Sequence, residues 1–260
     1  MTAPPTLALK LVLTPLLVAA ASLAGRRWGS AIGGWLVGIP FTSGPIAFFL
    51  ALEPGPRFAA RASEGIMAGT ASQAAFCLAY AWTAARTGWA ASLAAAVVAF
   101  AAVTALLNAV GLPALVYFML MVTVLALSLA LMPRRVPAAA ERIVFPRWDL
   151  PARMVVATAF VVALTGLAPA LGARLAGLIA PFPLYATVLA VFAHRIEGSA
   201  PAIGVLRGLL LGLFAFAAFF FVLAVTLPVQ GVGLAFVAAI AIALAVQGAS
   251  FLAGRRLRIA

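Results

Sequence analysis

Charge is scarce in this chain, and so is reactive chemistry. Only 8% of the 260 residues are Asp, Glu, Lys or Arg, and there is one histidine, one cysteine and one aspartate. Catalysis needs converging acids, bases, nucleophiles or metal ligands. The chain has no His-Glu-x-x-His, no paired aspartates within an apolar run, no Gly-x-Ser-x-Gly and no P-loop. It is therefore expected not to be an enzyme, and to bind no metal and no cofactor. Cys77 lies alone in an apolar run, so it has no disulfide or metal-site partner and reads as a small buried hydrophobe.

What is abundant is apolar surface. Two thirds of the residues are hydrophobic (66%) and the mean hydropathy is +1.20. No soluble domain of this size hides that much apolar surface, so the lipid bilayer is the expected solvent and partner. The net charge of +12 does not indicate nucleic acid. The arginines stand singly or in short clusters between apolar runs, where they act as topology signals. The first apolar run ends near Ser22-Leu23-Ala24, which resembles a signal-peptide cleavage site. No basic cluster precedes it and Arg26-Arg27 follow it, so it reads as a retained helix.

About 20 apolar residues cross the hydrocarbon core as a helix. Nine such spans are predicted, at 6–25, 31–52, 64–85, 89–109, 112–132, 151–171, 174–194, 202–226 and 231–253. With nine spans the basic residues divide unevenly. Lys10, Arg57, Arg61 and Arg174 fall on the N-terminal side, and the other thirteen fall on the opposite side. The positive-inside rule then predicts a bacterial inner-membrane protein with a periplasmic N-terminus and a cytoplasmic C-terminus. The polar segment 133–153 reads as a linker on the cytoplasmic surface, with Phe145 and Trp148 at headgroup depth.

The second half of the chain repeats the first at an offset of 143 residues. Gly29, Gly34, Gly55, Gly65 and Gly69 align with Gly172, Gly177, Gly198, Gly208 and Gly212, so five of the six glycines in 172–226 have a partner. Pro40 aligns with Pro183 and Phe76 with Phe219. Over 29–83 against 172–226 there are 14 identities. Spans one to four pair with six to nine, and span five joins the halves. Stepping by five spans inverts the second repeat, as in many transporters. The expected architecture is an all-α polytopic protein: a first repeat (1–110), a connecting helix and linker (111–150), and an inverted second repeat (151–260).

Spans two and seven carry the candidate site. Each holds two prolines and a hydroxyl cluster: Pro40, Thr42, Ser43, Gly44 and Pro45 in one, Pro181, Pro183, Tyr185 and Thr187 in the other. Proline removes an N–H and clashes with the preceding turn, so both helices should break there. Interrupted segments at matching places in two halves point to a transporter's binding site. Pro40, Thr42, Ser43, Gly44, Pro183, Tyr185 and Thr187 are the expected substrate path, with Gln73 of span three beside it. Gly65-xxx-Gly69 and Gly204-xxx-Gly208-xxx-Gly212 are expected to let helices approach closely, within the chain or across a homodimer. Glu64 and Arg207 hold equivalent places but should lie near opposite faces of the membrane. His194-Arg195-Ile196-Glu197 reads as an interfacial anchor.

The run Gly34–Pro45, preceded by Gly25-Arg26-Arg27-Trp28-Gly29, resembles a group of uncharacterised bacterial multi-spanning membrane proteins. The resemblance covers mainly the first half and brings no activity or site residues. In outline the odd-span inverted repeat is similar to drug/metabolite transporters and to cation antiporter-like carriers, which usually have ten spans. Two readings follow: a secondary transporter or exporter of an unidentified small molecule, or a non-transporting scaffold, assembly factor or partner subunit.

Overall fold

The computed structural model describes residues 5–40, 43–52, 55–107, 109, 112–133, 146–159 and 182–256. Among these there are ten helical segments and no strand. They are α1 (Pro5–Trp28), α2 (Ser30–Val37), α3 (Ser43–Leu52), α4 (Pro56–Ala84), α5 (Trp89–Leu107), α6 (Ala114–Leu131), α7 (149–159), α8 (Leu184–Glu197), α9 (Ser199–Gln230) and α10 (Val232–Arg256). Thr42, Asn108, Phe145 and Pro181 lie outside the described residues, as do most of predicted span six and the first part of span seven.

Local chemistry sets the helix boundaries. Gly55 and Gly198, equivalent in the repeat, precede α4 and α9 with φ of 110° and 93°. That left-handed region strains any residue with a Cβ, which is why glycine stands at both corners. Pro56 then occupies the first turn of α4, where its missing N–H costs nothing. Predicted span two is divided. α2 stops at Val37 and α3 starts at Ser43. Pro40 has no N–H to continue the ladder, and the last turn of α2 tightens instead: Gly38 and Ile39 donate to Trp35 O and Leu36 O at 3.2 and 3.3 Å. The end of α2 also gains a donor from a neighbour, because Gln247 Nε2 of α10 donates to Trp35 O at 2.9 Å.

Two long helices form the centre. α9 packs against α4, α10, α2, α8 and α6, while α4 packs against α9, α5, α6 and α3. Among the described residues four helices are long and apolar enough to cross a bilayer: α5, α6, α9 and residues Val232–Gly254 of α10. They divide by surroundings. The apolar stretch of α9 is 83% buried in protein, against 17%, 22% and 28% for α5, α6 and α10. The three peripheral helices turn Val98, Leu106, Leu115, Leu127, Leu234, Val237 and Leu244 outward. Such a girdle of exposed aliphatic side chains suits lipid and is consistent with a membrane protein.

The remaining helices differ from those four for identifiable reasons. α2 and α3, at 8 and 10 residues, are each too short to span alone. α4 is long enough at 29 residues, but it is rich in Ala, Gly, Ser and Thr and carries Arg57, Arg61 and Glu64. Every residue from Met67 to Ala74 is buried, so this stretch is enclosed on all sides. Small side chains at those positions suit contact with protein rather than with lipid. Elsewhere hydroxyls satisfy the ladder internally, as where Thr83, Thr123 and Thr226 donate to the carbonyls four residues earlier.

Candidate functional site

The first break runs from Gly38 to Ser43. Pro40 and Gly44 are buried, Ser43 is half-buried, and Gly44 N–H donates to Pro40 O at 2.9 Å. Gly44 sits against the ring of Phe219 on α9. The second break centres on Pro183, which is buried with φ −79° and ψ 61°. This is an inverse γ-turn, closed by Leu184 N–H donating to Phe182 O at 2.8 Å. Phe182 meets Phe76 of α4 and Phe100 of α5 edge to face, with ring centroids 5.6 and 5.3 Å apart. Each break thus rests on a phenylalanine of the other repeat's long helix, and Phe76 and Phe219 are themselves equivalent.

The hydroxyls of the second break are engaged by α8 itself and by α1. Thr187 donates both its N–H and its Oγ1 to Pro183 O, each at 2.8 Å, so its hydroxyl bonds back within its own helix. Tyr185 Oη lies 3.2 Å from Thr14 Oγ1 of α1, and the residue packs beside Val18, Ala157 and Val188. Gln73 is 6% exposed on α4. Its neighbour Ser72 accepts a 2.7 Å hydrogen bond from Thr104 of α5. The predicted path residues therefore form two groups, Pro40–Ser43–Gly44 and Pro183–Tyr185–Thr187, with Gln73 on α4.

The small-residue stripe of α9 packs on α2. A Cβ added at Gly208 would overlap Ala31 O, one at Gly204 would strike Ser30 Oγ, and one at Gly212 would come within 2.6 Å of Trp35 O. From the other side, Gly34 abuts Val205 O and Gly38 abuts Gly212 Cα. Backbones this close exclude any larger residue. Gly69 is buried in α4. Gly65 differs: it is exposed, and nothing lies within 4 Å of a Cβ built there.

A charge cluster sits where α1, α7 and α8 meet. Asp149, the only aspartate, is fully buried. Arg153 Nε donates to both of its carboxylate oxygens at 3.0 Å, and Arg26 Nη2 of α1 donates to Oδ2 at 2.5 Å. Arg153 is 4% exposed and lies over the ring of Phe192 on α8, 5.2 Å from its centroid. Beside the cluster is a small cavity of about 30 Å³, lined by Ser22, Arg26, Ser30, Arg153 and Glu197 among others. Glu197 ends α8, beyond the predicted span. Burial pushes its carboxyl above the ordinary 4.5; Arg153 opposes the rise, Asp149 adds to it and Arg26 opposes it.

Asp149 is thus not part of a surface linker, and Glu197 lines a cavity instead of serving only as an interfacial anchor. A signal for the first was present: Asp149 and Arg153 stand four apart at the start of a predicted span, a spacing that places them on one helix face. Burial of the pair depends on α1, which no local pattern reveals. Among the described residues no group of three His, Cys, Asp or Glu is arranged to hold a metal ion. No protein-family model, curated protein or solved structure matches the chain.

Proposed function

We propose that the chain is a secondary transporter or exporter of a small molecule in the bacterial inner membrane, with nine spans in two inverted repeats. One observation carries this reading. The elements recur at the 143-residue offset of the sequence repeat: α4 begins at Pro56 and α9 at Ser199, α5 at Trp89 and α10 at Val232. α4 packs on α5 as α9 packs on α10, and the breaks make reciprocal contacts with Phe219 and Phe76. Matched breaks in repeated halves are where transporters bind substrate. The predicted path is Pro40, Thr42, Ser43 and Gly44 with Gln73, Pro183, Tyr185 and Thr187.

Side-to-side contacts favour the predicted alternation of spans. The nine-span alternation puts Arg26, Asp149, Arg153 and Glu197 all on the arginine-rich side, and they meet. Trp82 with Leu131, and Trp35 with Ser250, also join positions assigned to that side. The positive-inside rule makes it the cytoplasmic one.

A second reading is favoured by a different observation. Phe76, Phe100, Phe182 and Phe219 pack at the breaks, and the Tyr185 and Thr187 hydroxyls already have partners. A dry aromatic centre would suit a scaffold or partner subunit. Single cysteines at positions 42, 43, 185 and 187 in a Cys77→Ala background separate the two readings. Labelling by a membrane-impermeant thiol reagent supports a solvated path; complete protection from both sides in folded protein supports the scaffold.

A further inference from the structure

We propose that the cavity between α1, α2, α7, α8 and α9 is a proton-binding site whose acceptor is the carboxylate of Glu197. The observations come from geometry. Asp149 is saturated by Arg153 and Arg26, whereas Glu197, on the same cavity, has no ion pair within 4 Å among the described residues. Ser22 also lines the cavity; it is 4% exposed, and its Oγ has no hydrogen-bond partner among the described residues. A buried hydroxyl facing a polar cavity calls for a donor or acceptor there. About 30 Å³ holds roughly two waters. A space of that size suits water, and the ligand inferred for it is a proton carried on water.

The charge arithmetic disfavours an anion as the ligand. Two arginines and Asp149 leave one net positive charge, and an ionised Glu197 brings the cluster to neutrality. In the proton step, a hydronium in the cavity gives its proton to a Glu197 Oε, leaving water and a neutral carboxyl; no electron moves. The surrounding groups define the field. α1 contributes Arg26 and Arg27, and α7 contributes Asp149 and Arg153. α8 itself carries His194, whose ring lies against Tyr80 of α4, and the exposed Arg195. α2 and α5 carry no charged residue, and Arg207 of α9 donates to Pro133 O. Desolvation of the carboxyl points the same way. If the protein transports, this site supplies the coupling ion; that role rests on the transport reading, and the proton site itself does not.

The test is infrared pH titration of the purified full chain in lipid nanodiscs. With only five side-chain carboxyls in the sequence, the C=O stretch of a neutral carboxyl is assignable. The expected result is a band with a midpoint above that of an ordinary glutamate, lost in Glu197→Gln and kept in Glu64→Gln. Ser22→Val, which fills the cavity and expels water, should move the midpoint further up. A band that survives in Glu197→Gln, or no such band in the wild type, overturns the proposal. If Glu197→Gln does not fold, an unchanged midpoint in folded Ser22→Val overturns it instead. A titrating Glu197 in a protein whose central cysteines stay fully protected would sink the transport reading and leave the proton site standing.

Discussion

Gly65 and Gly208 are equivalent in the sequence repeat, yet alanine should have opposite effects at the two. At Gly208 a Cβ would overlap Ala31 O and lie 2.7–2.8 Å from Ala31 C and Trp35 N. Non-bonded contacts settle near 3.5 Å and the tightest here, to Ala31 O, falls far inside that, so α2 must move away by more than about 1 Å. The obstruction is helical backbone, which cannot step aside as a flexible side chain would. A gap of that size forfeits at least a quarter to a half of the dispersion well along the α2–α9 seam. Overpacking of this kind costs about 1–3 kcal/mol. Gly65 meets nothing within 4 Å. There, alanine should only gain helix propensity, about 1 kcal/mol. The two variants should therefore differ by about 2–4 kcal/mol, or roughly 4–16 °C in Tm. Cys77 is the reporter: it is the only thiol and is fully buried, so a fluorogenic thiol dye reads thermal unfolding in detergent. Equal melting temperatures, or a Gly208→Ala protein more stable than Gly65→Ala, would refute the reasoning.

Three other outcomes are expected. Asp149→Asn leaves the buried Arg153 without its counter-charge and should lower stability by about 3 kcal/mol in chemical denaturation; a loss below about 1 kcal/mol would contradict the assigned pairing. Glu197 holds its proton more tightly in the folded state, so between its ordinary 4.5 and its raised value the folded state binds more protons than the unfolded. Its contribution is full below that window and is lost as pH rises through it. The melting temperature of Glu197→Gln should lack this fall, and an identical pH profile in both proteins would dismiss it. Gln247→Leu removes the donor to Trp35 O at the end of α2. It should cost about 1 kcal/mol and raise hydrogen exchange near Gly38; unchanged exchange would argue against the capping role.

The all-α membrane class, the breaks and the 143-residue periodicity are written in local terms. Composition dictates the solvent. Pro40 and Pro183 interrupt helices through their own missing N–H, and Gly55 and Gly198 turn corners that a Cβ would strain. These effects act within a few residues and so survive in a linear reading. What tertiary structure decided is which faces meet. Gly208 is pressed against α2 while its equivalent Gly65 stands in the open, because close approach needs a partner helix and the repeat specifies only the residue. Tyr185 turns to Thr14 of α1, and Asp149 leaves an apparent surface linker for a fully buried place between Arg153 and Arg26. Glu197 comes to line a cavity with Ser22, 175 positions earlier in the chain. Burial and ion pairing are properties of the assembled neighbourhood, set by residues far apart in sequence, and no local pattern encodes them.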